Sequence, residues 1–180
     1  WADSAGRIRR MPLAGGATET IVDKGVGYNL GGFALDLLAG KLYWAECCPT
    51  AVMRANLDGS NPEVIILNPG WPWPGAEWVA LDGGGGIYWT TDWVNYRIMH
   101  ANLDGTDEHT VFSIGFQPKG FVADMVREKL YWHNGKTIFC GDLLTGQFQA
   151  AVTAEFGVYG DLVIDEDLGR LYWVDYEKWS

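Results

Sequence analysis

The side chains that could do chemistry in this chain are few and scattered. There is no Gly-x-Ser-x-Gly elbow, and the glycine run 83–86 lacks the Lys-Ser/Thr that would follow a phosphate-binding loop. His100, His109 and His133 lie in or beside apolar runs, so we interpret them as structural or surface histidines. The acids at 165–167 fall in a turn and are interpreted as solvated, with calcium binding as the alternative. We therefore predict no enzyme, no catalytic residues, no resident metal and no cofactor.

Three cysteines, Cys47, Cys48 and Cys140, leave at least one thiol free or paired with another chain. No Cys/His spacing suggests zinc. Cys47 and Cys48 are adjacent and could bond only through a strained ring, whereas a bond from either one to Cys140 depends on a distance that the sequence does not give. The sequence therefore leaves three possibilities open: a bond between Cys47 and Cys48, a bond from either one to Cys140, or free thiols.

The formal net charge of −10 disfavours nucleic acid and anionic membrane as partners. It suits a cationic partner, or it keeps the chain soluble. The apolar runs fall far short of the roughly 20 residues that span a bilayer, so no membrane span is predicted. No secretory signal is visible and the chain begins with Trp, which we interpret as a processed form or an excerpt.

A tyrosine–tryptophan pair recurs along the chain and predicts its architecture. The tryptophans lie 43, 45, 43 and 41 residues apart. A period of about 40–45 residues with short strands is typical of propeller repeats. The four pairs, preceded by Trp1 as half of a fifth, are Tyr43-Trp44, Tyr88-Trp89, Tyr131-Trp132 and Tyr172-Trp173. We interpret these eight residues as structural repeat residues.

Each repeat is predicted to form four strands. An inner apolar run ends at an Asp, as in 32–36, and the second strand carries the Tyr-Trp pair. The third strand, as in 52–57, leads into an Asp-Gly hairpin turn, and a short apolar run forms the fourth. No stretch longer than about ten residues has helical periodicity, so the chain is predicted to be all-β.

These motifs together resemble a known family. The segments 42–46, 54–61 and 32–36 are similar to the YWTD repeat of β-propellers of the low-density-lipoprotein-receptor class B type, and the resemblance covers the whole chain. It implies an extracellular or secreted, non-catalytic domain that recognises a protein ligand. Two copies depart from the pattern at one position, because His100 and Cys140 stand where Arg10 and Arg54 stand elsewhere.

The number of repeats raises the question of ring closure. The family usually closes six blades, whereas this chain holds four units. We favour one closed four-bladed domain over 1–180, over a piece of a larger propeller and over a ring completed by another chain. The predicted repeats cover about 1–31, 32–77, 78–119 and 120–160, with 161–180 closing the first blade.

Loops on one face of such a propeller are the predicted binding surface, because variable loops on a rigid scaffold carry recognition. The segment 68–78 is the most distinctive, with three prolines and three tryptophans. Its rings suit protein hot spots or stacking on sugars, unless Trp71 and Trp73 fold back over the blade edges. The predicted ligand-binding residues are Trp71, Trp73, Glu77, Trp78, Trp93, Tyr96, Phe116 and Tyr159.

Two functions follow from this surface. The first is a module that binds a protein or peptide ligand, of basic character given the acidic chain. The second is a carbohydrate-binding lectin that uses the Trp-rich loop and an oligomer for avidity. A metal-dependent hydrolase of propeller type is the least favoured, because only Glu77 and Asp161 lie near a channel.

Overall fold

The computed structural model describes residues 1–3, 5–26, 28–47, 51–67, 76–91 and 96–176. Every regular element in these ranges is a β-strand, which confirms the all-β prediction. The strands are β1 (Ala2–Asp3), β2 (Arg7–Arg10), β3 (Glu19–Asp23), β4 (Asn29–Asp36), β5 (Lys41–Cys47), β6 (Ala51–Asn56), β7 (Glu63–Leu67), β8 (Ala76–Leu81), β9 (Gly86–Thr91), β10 (Arg97–Asn102), β11 (His109–Ser113), β12 (Lys119–Asp124), β13 (Lys129–His133), β14 (Thr137–Asp142), β15 (Gln147–Thr153), β16 (Val158–Asp165) and β17 (Arg170–Asp175).

The strands form separate antiparallel sheets in chain order. Three sheets have four strands each, β4 to β7, β8 to β11 and β12 to β15. The Tyr-Trp strand is second in each of them, and it lies across from the predicted third strand, with Tyr43 opposite Arg54, Tyr88 opposite His100 and Tyr131 opposite Cys140. The four-stranded unit predicted from the repeat is therefore confirmed.

The two ends of the chain form smaller sheets. β1, β2 and β3 make a three-stranded sheet, while β16 and β17 pair with each other. The edge of β2 that residues 161–180 were predicted to use is occupied by β1, with Ala2 opposite Ile8. The structure does not confirm the closed four-bladed ring, and the closing role of 161–180 stays a prediction.

Tyrosine and tryptophan of the first three pairs pack in opposite directions between neighbouring sheets, whereas Tyr172 and Trp173 of the fourth pair are 49% and 37% exposed. Trp44 lies in a cluster with Ile8 and Val22 of the sheet before it. Tyr43 lies in the next cluster with Val79 of the sheet after it. Because successive side chains of a strand point to opposite faces, one dipeptide fills two interfaces. Trp89 and Trp132 likewise pack toward the preceding sheet.

The predicted Asp-Gly hairpin turns are present and also serve packing. Asp58 accepts hydrogen bonds from the backbone N–H of Ser60 at 2.9 Å and from its hydroxyl. Gly59 has φ of +82°, and a Cβ there would come within 2.0 Å of the Ile21 carbonyl oxygen. Glycine is therefore needed both for the turn and for its contact with the preceding sheet.

Each of the first two sheets is joined to the following sheet by an arginine, Arg10 on β2 and Arg54 on β6. The Arg54 guanidinium donates to Glu63 at 2.8 Å and to the Leu103 carbonyl of the next sheet at 3.0 Å. Arg10 makes the matching contacts with Glu19 and the Leu57 carbonyl. His100 replaces this arginine in the third sheet and instead contacts Asp82 of its own sheet at 3.1 Å.

Replacing Arg54 by alanine is expected to destabilise the fold more than replacing Arg10. Arg54 is the more buried of the two, with 25% of its side chain exposed against 50% for Arg10. We expect Arg54→Ala to lower the free energy of unfolding by about 1.5–3 kcal/mol. Arg10→Ala should cost about 0–1 kcal/mol. Urea denaturation of both variants checks this, and equal losses would contradict the role of burial.

Candidate functional site

The four inner strands converge on a cavity of about 470 Å³ at the end where they begin. The first position of the inner run is Gly32, Trp78, Gly120 or Asp161 in successive units, and three of these four residues line the cavity. We call this cavity the channel mouth. Its lining residues are Ala2, Leu30, Gly31, Gly32, Phe33, Glu77, Trp78, Gln117, Lys119 and Asp161.

Polar side chains from different sheets meet at the channel mouth. The Gln117 amide donates to Glu77 Oε1 at 2.8 Å, which ties the loop after β11 to the start of β8. Asp161 and Lys119, which are both exposed, complete the polar lining. Desolvation raises the pKa of Asp161, and the hydrogen bond from the Phe121 backbone opposes that rise. The mouth thus offers two carboxyl groups and one ammonium group to a ligand.

Two glycines allow the Trp78 side chain to lie at the channel mouth. A Cβ on Gly32 would come within 2.8 Å of the Trp78 ring, and one on Gly31 within 1.9 Å of the Glu77 carbonyl oxygen. The backbone of β4 therefore passes directly against β8. Trp78 is half-buried and also contacts the apolar cluster between the third and fourth units. The ring is held from two sides, which lowers the entropy cost of presenting it.

The predicted binding residues occupy three different environments. Glu77 and Trp78 lie together at the channel mouth. Tyr96 and Phe116 are partly buried in the cluster between the third and fourth units, and the Phe116 ring packs at a tilt against Phe139 with ring centroids 4.6 Å apart. Tyr159 is exposed and contacts the Tyr176 ring. Trp71, Trp73 and Trp93 lie outside the described residues, so their role stays a prediction.

Gln117 and Lys119 are lining residues that the sequence analysis did not select. Lys119 precedes the inner run of its unit as Glu77 does in the unit before, so position within the repeat was the signal that could have found it. Gln117 was missed because it lies in a loop, where the repeat gives no fixed position. Within the ranges that the structure covers, no group of three His, Cys, Asp or Glu side chains could hold a metal ion. Cys140 is a free thiol.

His133 is a buried histidine beside the channel mouth. It lies across from Lys119, and its Nε2 contacts the Gly160 carbonyl oxygen at 2.9 Å. Its Nδ1 accepts the Gly135 backbone N–H at 3.1 Å, so Nε2 carries the proton. Desolvation lowers the pKa of His133, and the positive charge of Lys119 adds to the effect, against the opposing hydrogen bond to Gly160. The neutral ring joins β13 to the start of the next inner strand.

Comparison with known proteins identifies the class of fold. No family model matches the chain. It is 27% identical to a chain in a solved structure of a nidogen/laminin complex, with a TM-score of 0.80 over 96% of this chain and 68% of the other. An oligogalacturonate lyase in complex with manganese shares only the fold, at 10% identity and a TM-score of 0.62 over 85% of this chain and 44% of the lyase.

Two relatives carry the name of the low-density lipoprotein receptor. The chain is 28% identical over 138 residues to a low-density lipoprotein receptor-related protein 5-like protein from Homo sapiens, covering 75% of this chain and 53% of the relative. It is also 28% identical over 202 residues to low-density lipoprotein receptor-related protein 1 from Pyricularia oryzae, covering 94% and 64%. The chain thus spans about half to two thirds of these relatives. The resemblance to YWTD-type propeller repeats is confirmed.

These relatives are extracellular proteins, which is consistent with the predicted location. In the part of the chain that the structure describes, we find no helix that is long and apolar enough to cross a membrane.

The burial of His133 predicts a loss of stability in mild acid. Its pKa lies below the ordinary 6.5 in the folded state, so the unfolded chain binds the proton more readily. Its contribution is therefore complete above pH 6.5 and falls as the pH decreases, by at most about 1.4 kcal/mol per pH unit.

Urea denaturation between pH 8 and pH 5 measures this dependence. The His133→Gln variant should lose that part of the pH dependence, whereas His109→Gln, at a half-exposed surface histidine, should keep it. An unchanged slope in His133→Gln would show that other groups carry the acid sensitivity.

Proposed function

We propose that this chain is a non-catalytic binding module that recognises a protein or peptide ligand at the channel mouth and on the loops around it. The observation that carries the proposal is the meeting of Glu77, Trp78, Gln117, Lys119 and Asp161 at one cavity. An aromatic ring surrounded by polar groups of both charges suits a polypeptide, whose backbone and side chains offer both donors and acceptors.

The relatives support a protein ligand. A chain of similar fold occurs in a nidogen/laminin complex, and the two receptor-related proteins carry names of a receptor class. The inner strands would surround this mouth in each of three arrangements: a closed four-bladed ring, a piece of a larger propeller, or a ring completed by another chain. The residues of the proposed site would therefore face the channel in each arrangement.

The ligand that fits best is basic. The chain carries a net charge of −10, and two of the three charged residues at the channel mouth are acids. A cation bound there would favour the ionised form of Asp161, whose pKa desolvation raises. Lys119 would then pair with an acidic or carbonyl group of the same ligand.

We infer an extracellular location for this chain from the same relatives.

Binding to an arrayed library of basic 12-residue peptides tests the proposal. Asp161→Asn and Glu77→Gln should weaken the best peptides by about tenfold each, because each removes a charge that the ligand meets. Glu108→Gln, which removes an exposed acid outside the mouth, should change little. Affinity should fall steeply as salt rises from about 50 to 500 mM. Full binding by all three variants would contradict the site.

A carbohydrate ligand is the second candidate, favoured by the three tryptophans of the segment 68–78, of which Trp78 lines the mouth. A glycan array of the chain beside the Trp71→Ala/Trp73→Ala double variant separates the two. A defined sugar that only the parent chain binds, with little dependence on salt, would make it a lectin. We expect a blank array and loss of peptide binding in the double variant at an unchanged melting temperature.

A further inference from the structure

A second cavity lies at the opposite end of the inner strands from the channel mouth. Its volume is about 560 Å³, within the usual range of about 300–1,000 Å³ for ligand pockets. The hairpin turns that follow β4, β8, β12 and β16 surround it. We call it the turn-face cavity. On β4 the lining of the channel mouth ends at Phe33 and that of this cavity begins at Leu35, so the two cavities share no lining residue.

The rim of this cavity exposes large aliphatic side chains. Leu38 is fully exposed and Leu37 is 73% exposed, in the turn after β4. Leu35, Leu81, Leu103 and Met125 continue the apolar surface into the cavity. The turn after β8 consists of glycines 83–86, whose lack of side chains leaves the cavity open on that side. These side chains give the cavity an apolar rim and an apolar lining that a ligand could contact.

Neither leucine is needed for the turn that carries it. The turn is held by Asp36, whose Oδ1 accepts the Ala39 N–H at 2.8 Å, and by Gly40, whose φ is +67°. The turn after β16 is closed in the same way by Asp165, which accepts the Leu168 N–H at 2.9 Å. The positions of Leu37 and Leu38 are occupied there by Glu166 and Asp167. Folding therefore does not explain why two leucines face solvent.

The side chains that line the turn-face cavity carry charge of one sign, while the Arg127 guanidinium lies beside it and donates to the Glu166 carbonyl oxygen at 3.1 Å. Asp36 and Glu166 are the charged residues among those that line it, and no lysine or arginine lines it in the described part of the chain. An apolar surface bordered by carboxylates complements a segment that carries aliphatic side chains beside lysine or arginine. A purely apolar partner would itself supply no charge opposite these two carboxylates.

From this geometry we propose that the turn-face cavity binds a basic amphipathic segment of a partner protein. Aliphatic residues of the segment pack on Leu37, Leu38 and Met125, while its basic residues face Asp36 and Glu166. Recognition through a row of aliphatic residues on one helix face is an established mode for such grooves. The channel mouth takes no part, so one chain can hold two partners, one on each face.

A 14-residue helical peptide of leucine and lysine, labelled with fluorescein, is the probe. Fluorescence anisotropy should show saturable binding to the parent chain, and a serine/lysine peptide of equal charge should not bind. The Leu37→Ser/Leu38→Ser variant should bind at least tenfold more weakly. Leu144→Ser, at a leucine that is 78% exposed in another turn, should bind as the parent does.

The variants also separate this proposal from the proposed function. Both leucines are exposed, so the double variant should keep the melting temperature of the parent. Trp78→Ala, which alters the channel mouth, should bind the leucine/lysine peptide with unchanged affinity. No binding by the parent chain, or equal binding by the double variant, would overturn the proposal. Loss of binding in Trp78→Ala alone would place the peptide at the channel mouth and overturn it as well.

Discussion

The packing of one tyrosine and one tryptophan into opposite interfaces is the constraint on which the other features depend. Each of the first three pairs lies on the second strand of a four-stranded sheet and packs against the sheets before and after it. Trp44 and Trp132 are fully buried, and among the described residues their indole N–H groups have no hydrogen-bond partner. An unsatisfied buried donor costs about 1–3 kcal/mol, which the burial of the large rings must offset.

Once the sheets are stacked in this way, their inner strands lie side by side and their first residues gather at one end. Small residues permit the close approach, as where Gly31 and Gly32 of β4 meet Glu77 and Trp78 of β8. The strands and turns repeat from unit to unit, whereas the residue at this position differs. The channel mouth therefore combines side chains of different chemical types. The same reasoning applies at the other end, where Leu37 and Leu38 of the turn after β4 stand at positions that Glu166 and Asp167 occupy after β16.

The residues that bridge neighbouring sheets differ from one sheet to the next along the chain. Arg10 and Arg54 each bridge to the next sheet, whereas His100 turns back to Asp82 and Cys140 offers no cation. Beyond the third sheet the bridging passes to other residues. Arg127 reaches the Glu166 carbonyl oxygen, and His133 reaches that of Gly160. Acid should therefore weaken the link made by His133 before it affects the arginine bridges, because guanidinium does not titrate in this range.

The sequence by itself determined the strands, their order within each sheet and the hairpin turns. Alternation along a strand and positive φ at glycine are local properties, and they recur with the Tyr-Trp period. It also pointed to Glu77 and Trp78. Tertiary structure decided which residues meet them, because the Gln117 contact crosses 40 positions of the chain. It also decided the partial burial of Tyr96 and Phe116, and the pairing of β1 with β2. These outcomes depend on how sheets stack, a property that no single repeat contains.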